Sequence, residues 1–255
     1  MSGLILGILL ARPLSSLIAD HFGWRAVFAL SAAITVGFAL LLSRTLPHRQ
    51  PAPGASYGRL LWSLQALLRT SPILRRRTAY QTMAFAAFSI FWTAVPLQLA
   101  GPAFGLSQTG IALFALSGAA GALIAPVAGR IADRGWGRPA TGLSLLAIAI
   151  SFLLAWVGRE SIAMLVLAGL LLDMGVQCSM VVGQRAIYSV GAEVRSRMNG
   201  VYMAIFFFGG AVGSALAGYG FAHGGWETVA WIGLAFPLVG LAYYTTEFLG
   251  GHTRG

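Results

Sequence analysis

The chain has 255 residues, of which 57% are hydrophobic and only 9% are charged. Soluble globular domains carry about a quarter charged residues, so this composition excludes a single water-soluble domain and indicates a protein surrounded by lipid. The net charge of +10 would suggest a nucleic-acid partner in a soluble protein. None is predicted here, because membrane proteins concentrate basic residues in particular connections.

Eight apolar stretches follow one another along the chain, each long enough to cross a membrane as a helix. A crossing needs about 20 apolar residues, because each residue of a helix advances about 1.5 Å through a core about 30 Å thick. The stretches are too long and continuous for the strands of a barrel. The sequence therefore predicts an all-α membrane protein with eight transmembrane helices, at about 2–20, 26–46, 78–100, 107–129, 139–157, 161–183, 199–221 and 227–249.

Arginines are distributed unevenly between the connections that join these spans. Seven arginines and no acid lie between spans two and three, three lie in the connection from span four to five, three lie in that from span six to seven, and Arg254 lies in the tail. The opposite side contains only Arg25 and Arg159. Since basic residues collect on the cytoplasmic side of membranes, both termini and the long connection are predicted to be cytoplasmic.

The long connection, residues 47–77, separates two groups of spans. It opens with a Pro/Gly-rich segment at 51–54, which favours a turning chain. Leucines at helical spacing then predict an amphipathic helix on the inner membrane surface, with a plain linker as the alternative. The apolar stripe consists of Tyr57, Leu60, Leu61, Leu64, Leu67 and Leu68.

A short pattern recurs at two equivalent turns. Residues 21–27 (His-Phe-Gly-Trp-Arg-Ala-Val) match 223–229 (His-Gly-Gly-Trp-Glu-Thr-Val) at an offset of 202. A duplication with this offset has a unit of six spans. The predicted organisation is therefore 1–46 as the last two helices of an incomplete N-terminal half, 47–77 as a cytoplasmic linker, 78–249 as a complete six-helix C-terminal half, and 250–255 as a cytoplasmic tail.

Four segments resemble motifs of one transporter family. Residues 7–16 are similar to the antiporter motif of a fifth helix, and 129–139 resemble a cytoplasmic Gly-x-x-x-Asp-Arg-x-Gly-Arg signature, with one inserted residue and a final proline. Residues 172–177 and 195–202 are similar to segments of the tenth and eleventh helices. Taken in order, these motifs resemble the major facilitator superfamily, in its bacterial drug/proton-antiporter-like efflux branch.

The resemblance implies an architecture and a location. The eight spans would be helices five to twelve of a bundle of two six-helix halves, with helices one to four absent from the chain. In this family the substrate cavity lies between the halves at mid-membrane and opens alternately to each side. The implied partners are the lipid bilayer of the bacterial inner membrane, a small organic solute and protons, while the oligomeric state is left open.

Asp173 lies about halfway through the sixth span, with Gln177 and Gln184 further along one face. Polar groups in lipid are costly, so each needs a partner or a function. Burial and a neighbouring cation shift the pKa of a carboxyl group in opposite directions, which a proton-coupled cycle would use. Arg12, at similar depth in the first span, is the hypothetical partner of Asp173. The alternatives are a structural clamp at Asp173 and an Arg12 that snorkels or lines a wet cavity alone.

The third span contains aromatic and polar side chains that would suit a solute cavity. Trp92 and Thr93, together with Gln184, are the cavity candidates, because such a mixture fits an amphipathic organic solute. Gln81 and Gln98 are interpreted as packing or interface residues, since they lie near the ends of the predicted span.

The signature at 129–139 places a carboxylate among arginines at a cytoplasmic helix end. The family resemblance implies that this carboxylate latches neighbouring helix ends in one conformation; a solvated turn is the alternative. The residues of this gating motif are Gly129, Arg130, Asp133, Arg134 and Arg138.

Three rows of small residues recur at about every fourth position, one in the fourth span and two in the seventh. Such rows let helices approach closely in lipid, so they predict tight helix packing. The rows are Gly118, Gly121, Ala122 and Ala125; Gly209, Gly213 and Ala217; and Gly210, Ser214 and Gly218.

The predicted function is secondary active transport, namely proton-coupled efflux of a small organic solute by alternating access. The first alternative is a membrane-embedded fragment that does not transport. The second is an intramembrane enzyme, which would need converging nucleophile, acid/base or metal groups. His21 and His223 in turns, the single cysteine Cys178 and one mid-span carboxylate do not form such a set, so neither a catalytic site, a metal nor a cofactor is predicted.

Overall fold

The secondary structure is helical throughout the part of the chain that can be described. The computed structural model describes residues 14–15, 18–19, 21–46, 57–119, 121 and 124–249. Within these residues there is no strand, which confirms the all-α fold class. Eight helices are described: α1 (Trp24–Thr45), α2 (Tyr57–Thr70), α3 (Pro72–Ala100), α4 (Gln108–Ala119), α5 (Ala125–Asp133), α6 (Gly137–Val157), α7 (Ile162–Tyr188) and α8 (Ala192–Leu249).

Five of these helices are long and apolar enough to cross a membrane, at α1, α3, α6, α7 and 194–248 of α8. The last is two helices joined at a kink, because Gly224 and Gly225 have non-helical backbone angles. We name residues 192–223 the first arm of α8 and residues 226–249 its second arm. These arms correspond to the predicted seventh and eighth spans, and the chain is a multi-pass membrane protein. The predicted first span lies almost entirely outside the described residues.

The two copies of the His-x-Gly-Trp pattern have similar backbone geometry. Gly23 has φ 79° and ψ 161°, and Gly225 has φ 62° and ψ −157°. Both lie in a region that side chains other than glycine rarely adopt, and in both copies a tryptophan begins the helix that follows. Trp226 then donates its indole N–H to the carbonyl of Ala155 at 2.8 Å, which fixes the kink against the end of α6.

Two described helices begin at positions different from those of the predicted spans, and each has a proline in its first turn. The third span begins at Pro72 rather than 78, because Ser71 accepts a hydrogen bond from the Leu74 N–H at 3.3 Å and proline is favoured in the first turn. The predicted fourth span, 107–129, is described as two helices. The second, α5, has Pro126 in its first turn, and proline in a helix interior removes a hydrogen bond and clashes with the preceding turn.

α3 lies at the centre of the bundle and packs mainly against α8 and α7. Small residues allow this approach. A Cβ added at Gly209 would lie 2.5 Å from the Thr82 methyl group, and one added at Gly213 would lie 2.4 Å from the carbonyl oxygen of Ala86. The small-residue row of the first arm of α8 therefore serves close helix packing, as predicted.

A helix, α2, occupies the segment that was predicted to be amphipathic, and part of its apolar stripe packs against the bundle. Leu64, Leu67 and Leu68 pack against a core cluster that includes Leu74 and Ile187. The helix thus covers the end of the bundle where α3 and the first arm of α8 begin and α7 ends, which we call the arginine-rich end.

Candidate functional site

Trp92 of α3 and Asp173 of α7 form a hydrogen bond inside the bundle. The indole Nε1–H donates to Asp173 Oδ1 at 2.8 Å, and each residue is only 8% exposed. The sequence analysis singled out both residues but assigned them to different tasks. The structure brings them together, so a cavity candidate and a proton-coupling candidate share one site.

The walls of this site are made by glycine backbone and aromatic rings. A Cβ added at Gly118 would lie 2.3 Å from the Trp92 ring and 2.5 Å from Asp173 Oδ2, and one added at Gly121 would lie 2.4 Å from Asp173 Cβ. Phe91 and Phe114 meet the Trp92 ring edge to face, at centroid distances of 5.4 and 6.0 Å. The indole and the carboxyl group are therefore tightly enclosed.

A second polar level lies further towards the arginine-rich end, on the same two helices. α3 and α7 run antiparallel, since Leu74 near the start of α3 shares a core cluster with Ile187 near the end of α7. Gln81 lies eleven residues before Trp92, and Gln184 lies eleven residues after Asp173. Eleven residues are about three helical turns, so the two amides lie at one level, on the faces that carry the Trp92–Asp173 hydrogen bond.

This amide level is buried, and three of its four amide atoms have no hydrogen-bond partner among the described residues. Gln81 is fully buried and Gln184 is 4% exposed. Neither atom of the Gln81 amide, nor Gln184 Oε1, has a hydrogen-bond partner within the described part of the chain, and the same holds for the hydroxyl groups of Thr78 and Tyr202. Buried polar groups of this kind mark places where water or a ligand completes the hydrogen bonds.

Gln81, interpreted as a packing or interface residue, is fully buried and lies well inside α3, which begins at Pro72; this favours the packing alternative. Gln98 does lie at the end of α3, where its amide donates to the carbonyl of Arg159 at 3.1 Å.

Thr93 exchanges a hydrogen bond with Ser214 of α8 at 2.8 Å, on a different side of α3 from Trp92. Gln177 is half-buried.

Arg12, the hypothetical partner of Asp173, lies outside the described residues. Its pairing with Asp173 therefore stays a prediction.

At the arginine-rich end, the gating motif meets a residue that the sequence analysis assigned only to membrane orientation. Arg185, near the end of α7, donates to Asp133 at the end of α5. A Cβ added at Gly129 would lie 3.1 Å from the Arg185 guanidinium, so Gly129 and Asp133 of the motif both face Arg185. Arg130 and Arg134 are exposed, and Gly135 has φ 80°, which lets the turn reverse after Asp133.

Glu247, in the second arm of α8, is a buried carboxylate that the sequence analysis missed. Its side chain is 5% exposed, and it accepts a hydrogen bond from the Tyr80 hydroxyl at 2.9 Å. Arg138 lies 3.2 Å away and Arg76 4.0 Å away. One signal could have found it, since Glu247 is a lone acid near the end of an apolar span, opposite arginines of two other helices.

Comparisons with known proteins agree with this architecture. The sequence pattern of the Major Facilitator Superfamily matches residues 1–138 and 77–250. The chain belongs to the major facilitator superfamily. The segment 77–138 lies in both matched ranges.

Several relatives of this superfamily member have transporter names. A protein of Escherichia coli O157:H7 named "Uncharacterized transporter YgaY" is 39% identical over 248 residues, which cover 97% of this chain and 63% of the relative. A protein of Streptomyces coelicolor named "Probable transporter" is 33% identical over 94% of this chain and 56% of its own length. A "Probable sugar efflux transporter" of Pasteurella multocida is 46% identical over 46 residues, 18% of this chain and 11% of the relative. The chain thus spans about 63% of the length of the E. coli relative.

Proposed function

We propose that this chain is part of a secondary active transporter that exports a small organic solute in exchange for protons, with Asp173 as the residue that binds and releases the proton. The observation that carries the proposal is the buried hydrogen bond from Trp92 to Asp173. Membership of the superfamily and the transporter names of relatives support transport as the activity. Efflux as the direction draws on the motif resemblance and on the short match to an efflux transporter.

A proton on Asp173 would change how firmly α3 and α7 are joined. A hydrogen bond to a charged group stabilises by about 1.5–3 kcal/mol and a neutral one by about 0.5–1.5 kcal/mol, so protonation weakens the Trp92 contact by about 1 kcal/mol. Because the glycine walls leave no free space, a shift of the indole changes the packing of α4 against both side chains. This couples proton binding to movement between the helices that line the site.

The amide level supplies a hydrophilic route between Asp173 and the arginine-rich end. Gln81 and Gln184 lie about three helical turns from the level of the Trp92–Asp173 pair. Water bound at their buried polar atoms would supply the missing hydrogen bonds. Water at this level would let protons and polar parts of a solute approach Asp173 from that end. Gln184 therefore keeps its place among the cavity residues, and Gln81 joins it.

The proposed orientation places the arginine-rich end in the cytoplasm of a bacterium, with the protein in the inner membrane and both termini cytoplasmic. The uneven distribution of the 17 arginines supports this. The eight predicted spans would correspond to helices five to twelve of a twelve-helix arrangement, with 1–46 belonging to the first half and 78–249 forming the second. The similar backbone geometry at Gly23 and Gly225 supports equivalent turns in the two halves.

The test is solute-induced proton movement in inverted membrane vesicles that contain the full chain. Vesicles acidified inside by respiration are challenged with a panel of amphipathic fluorescent amines and neutral glycosides while a pH-sensitive dye reports the gradient. We expect at least one solute to dissipate the gradient, and Asp173→Asn to abolish the effect. Glu160→Gln is the matched control, because the Glu160 side chain is 80% exposed.

Dissipation by Asp173→Asn vesicles equal to that of the wild type would refute the role of Asp173. If no solute moves protons in wild-type vesicles, the alternative of a membrane-embedded chain without transport is favoured.

A further inference from the structure

A cavity of about 600 Å³ opens at the arginine-rich end, between the first turns of α3 and α6, the end of α7 and the first turn of α8. This volume lies within the range of about 300–1,000 Å³ typical of ligand sites. Five of its lining side chains are charged. They are Arg77, Arg138, Arg185, Arg195 and Asp133.

The charges of this lining do not balance. Asp133 contacts Arg185, and Arg138 pairs with Glu247, which lies outside the lining. The two other arginines are held by neutral groups, since Arg77 donates to the hydroxyl of Thr141 and Arg195 donates to the carbonyl of Tyr188 at 3.1 Å. Within the described part of the chain, these contacts hold the guanidinium groups in place and no acidic side chain pairs with them.

The arrangement of the guanidinium groups suits an anion with several oxygens. Arginine presents a planar set of donors that binds phosphate in a bidentate way. Arg195 lies in the first turn of α8, where the helix dipole adds partial positive charge. Val182, Ala186 and the Tyr188 ring supply the apolar part of the lining, which fits the carbon atoms that carry a phosphate group.

We infer that this cavity binds an anionic phosphate group, carried either by a phospholipid headgroup or by a soluble phosphate ester. The cavity lies among the ends of α3, α6 and α7, which are long and apolar enough to span the membrane, so both sources can reach it. The site is separate from the Trp92–Asp173 pair and does not depend on proton coupling or on the exported solute.

The experiment uses the purified full chain in a neutral detergent. Native mass spectrometry measures retention of added phosphatidylglycerol, with zwitterionic phosphatidylcholine as the reference, and glycerol 3-phosphate is tested through the melting temperature. We compare the wild type with Arg77→Gln/Arg195→Gln. The matched control is Arg130→Gln/Arg134→Gln, which removes two charges from exposed side chains at the same end but outside the lining.

We expect retention to fall about tenfold in Arg77→Gln/Arg195→Gln, because two charge-assisted contacts are lost, and to stay unchanged in the control. Loss of phosphatidylglycerol assigns the site to a lipid. If phosphatidylglycerol is not retained but glycerol 3-phosphate raises the melting temperature of the wild type and not of this variant, the source is a soluble ester.

Equal behaviour of the two double variants with both probes would overturn the inference, since surface charge alone would then explain binding. Arg195→Gln alone guards against a folding defect, because its described hydrogen bond is to a backbone carbonyl at the surface. We expect it to lose part of the retention. Wild-type retention in this single variant, beside an unfolded double variant, would also overturn the inference.

Discussion

Asp173 and Glu247 are both buried carboxyl groups that join helices far apart in the sequence, but their surroundings differ. Glu247 lies at the arginine-rich end, where a tyrosine hydroxyl and the guanidinium groups of Arg138 and Arg76 surround it. Asp173 lies inside the bundle, against an indole N–H and the backbone of two glycines. Around Glu247, polar and cationic side chains balance the negative charge. Around Asp173, close packing of the indole and the glycine backbone surrounds the carboxyl group.

The difference indicates separate tasks for the two groups. The contacts of Glu247 tie the second arm of α8 to α3 and α6 through several polar bonds, which suits a lasting connection between these helices. The Asp173 site combines one described indole bond with walls that fit only glycine, so a change at the carboxyl group is passed directly to α3 and α4. The comparison predicts that substitutions at Glu247 act on stability and those around Asp173 on function as well.

The largest effect is expected from Glu247→Leu. Removing this carboxyl group leaves the buried Tyr80 hydroxyl without its acceptor and two arginines without their counter-ion. Removing one partner of a buried ion pair costs about 3–5 kcal/mol, and because the Arg138 side chain is 67% exposed we expect the lower value, about 3 kcal/mol. The measurement is the free energy of unfolding in mixed micelles.

Glu227→Gln is the control for this prediction, since the Glu227 side chain is 55% exposed and also pairs with an arginine, Arg159. We expect a change of less than about 1 kcal/mol there, as for other surface pairs. Equal losses in the two variants would show that Glu247 contributes no more than an exposed pair.

A smaller effect is expected from Gly118→Ala, which tests whether shape encloses Asp173. The new methyl group would lie within 2.5 Å of both the Trp92 ring and Asp173 Oδ2, and such overpacking costs typically about 1–3 kcal/mol, so we expect about 2 kcal/mol. The tryptophan emission should also shift as the indole moves. The same substitution at Gly37 of α1, where no atom lies within 4 Å, should leave stability unchanged or raise it.

The contrast between the two sites also shows what the sequence could predict. The spans follow from length and apolarity, because a bilayer imposes both, and the kink of α8 follows from its paired glycines. The bond between Trp92 and Asp173, 81 residues apart, depends on how two helices rotate about their axes. When a helix is apolar nearly all round, its sequence does not show which face points towards a neighbouring helix. The sequence therefore identified Trp92 and Asp173 as candidates but did not predict that they form a pair.

The burial of Glu247 was missed and that of Gln81 was left open for a related reason. Both lie near the ends of predicted spans, where polar residues are usually in contact with headgroups or water. The helix start at Pro72 moves Gln81 inward, and the tyrosine and arginines of α3 and α6 bury Glu247. Burial at helix ends is decided by neighbouring helices, which hydropathy along one segment does not describe.

The smallest effect is expected for the interaction between Trp92 and Asp173, measured by a double-mutant cycle. Trp92→Phe alone removes packing as well as the indole donor, and Asp173→Asn alone changes the charge and its other contacts, so neither single variant isolates the hydrogen bond. The cycle isolates it, and we expect a coupling free energy of about 1 kcal/mol, the difference between a charged and a neutral hydrogen bond. Thr93→Val with Asp173→Asn serves as the reference pair, because Thr93 bonds to Ser214 instead, and should give additive losses. A coupling near zero for Trp92 and Asp173 would remove the indole bond as the link between protonation and the movement of α3.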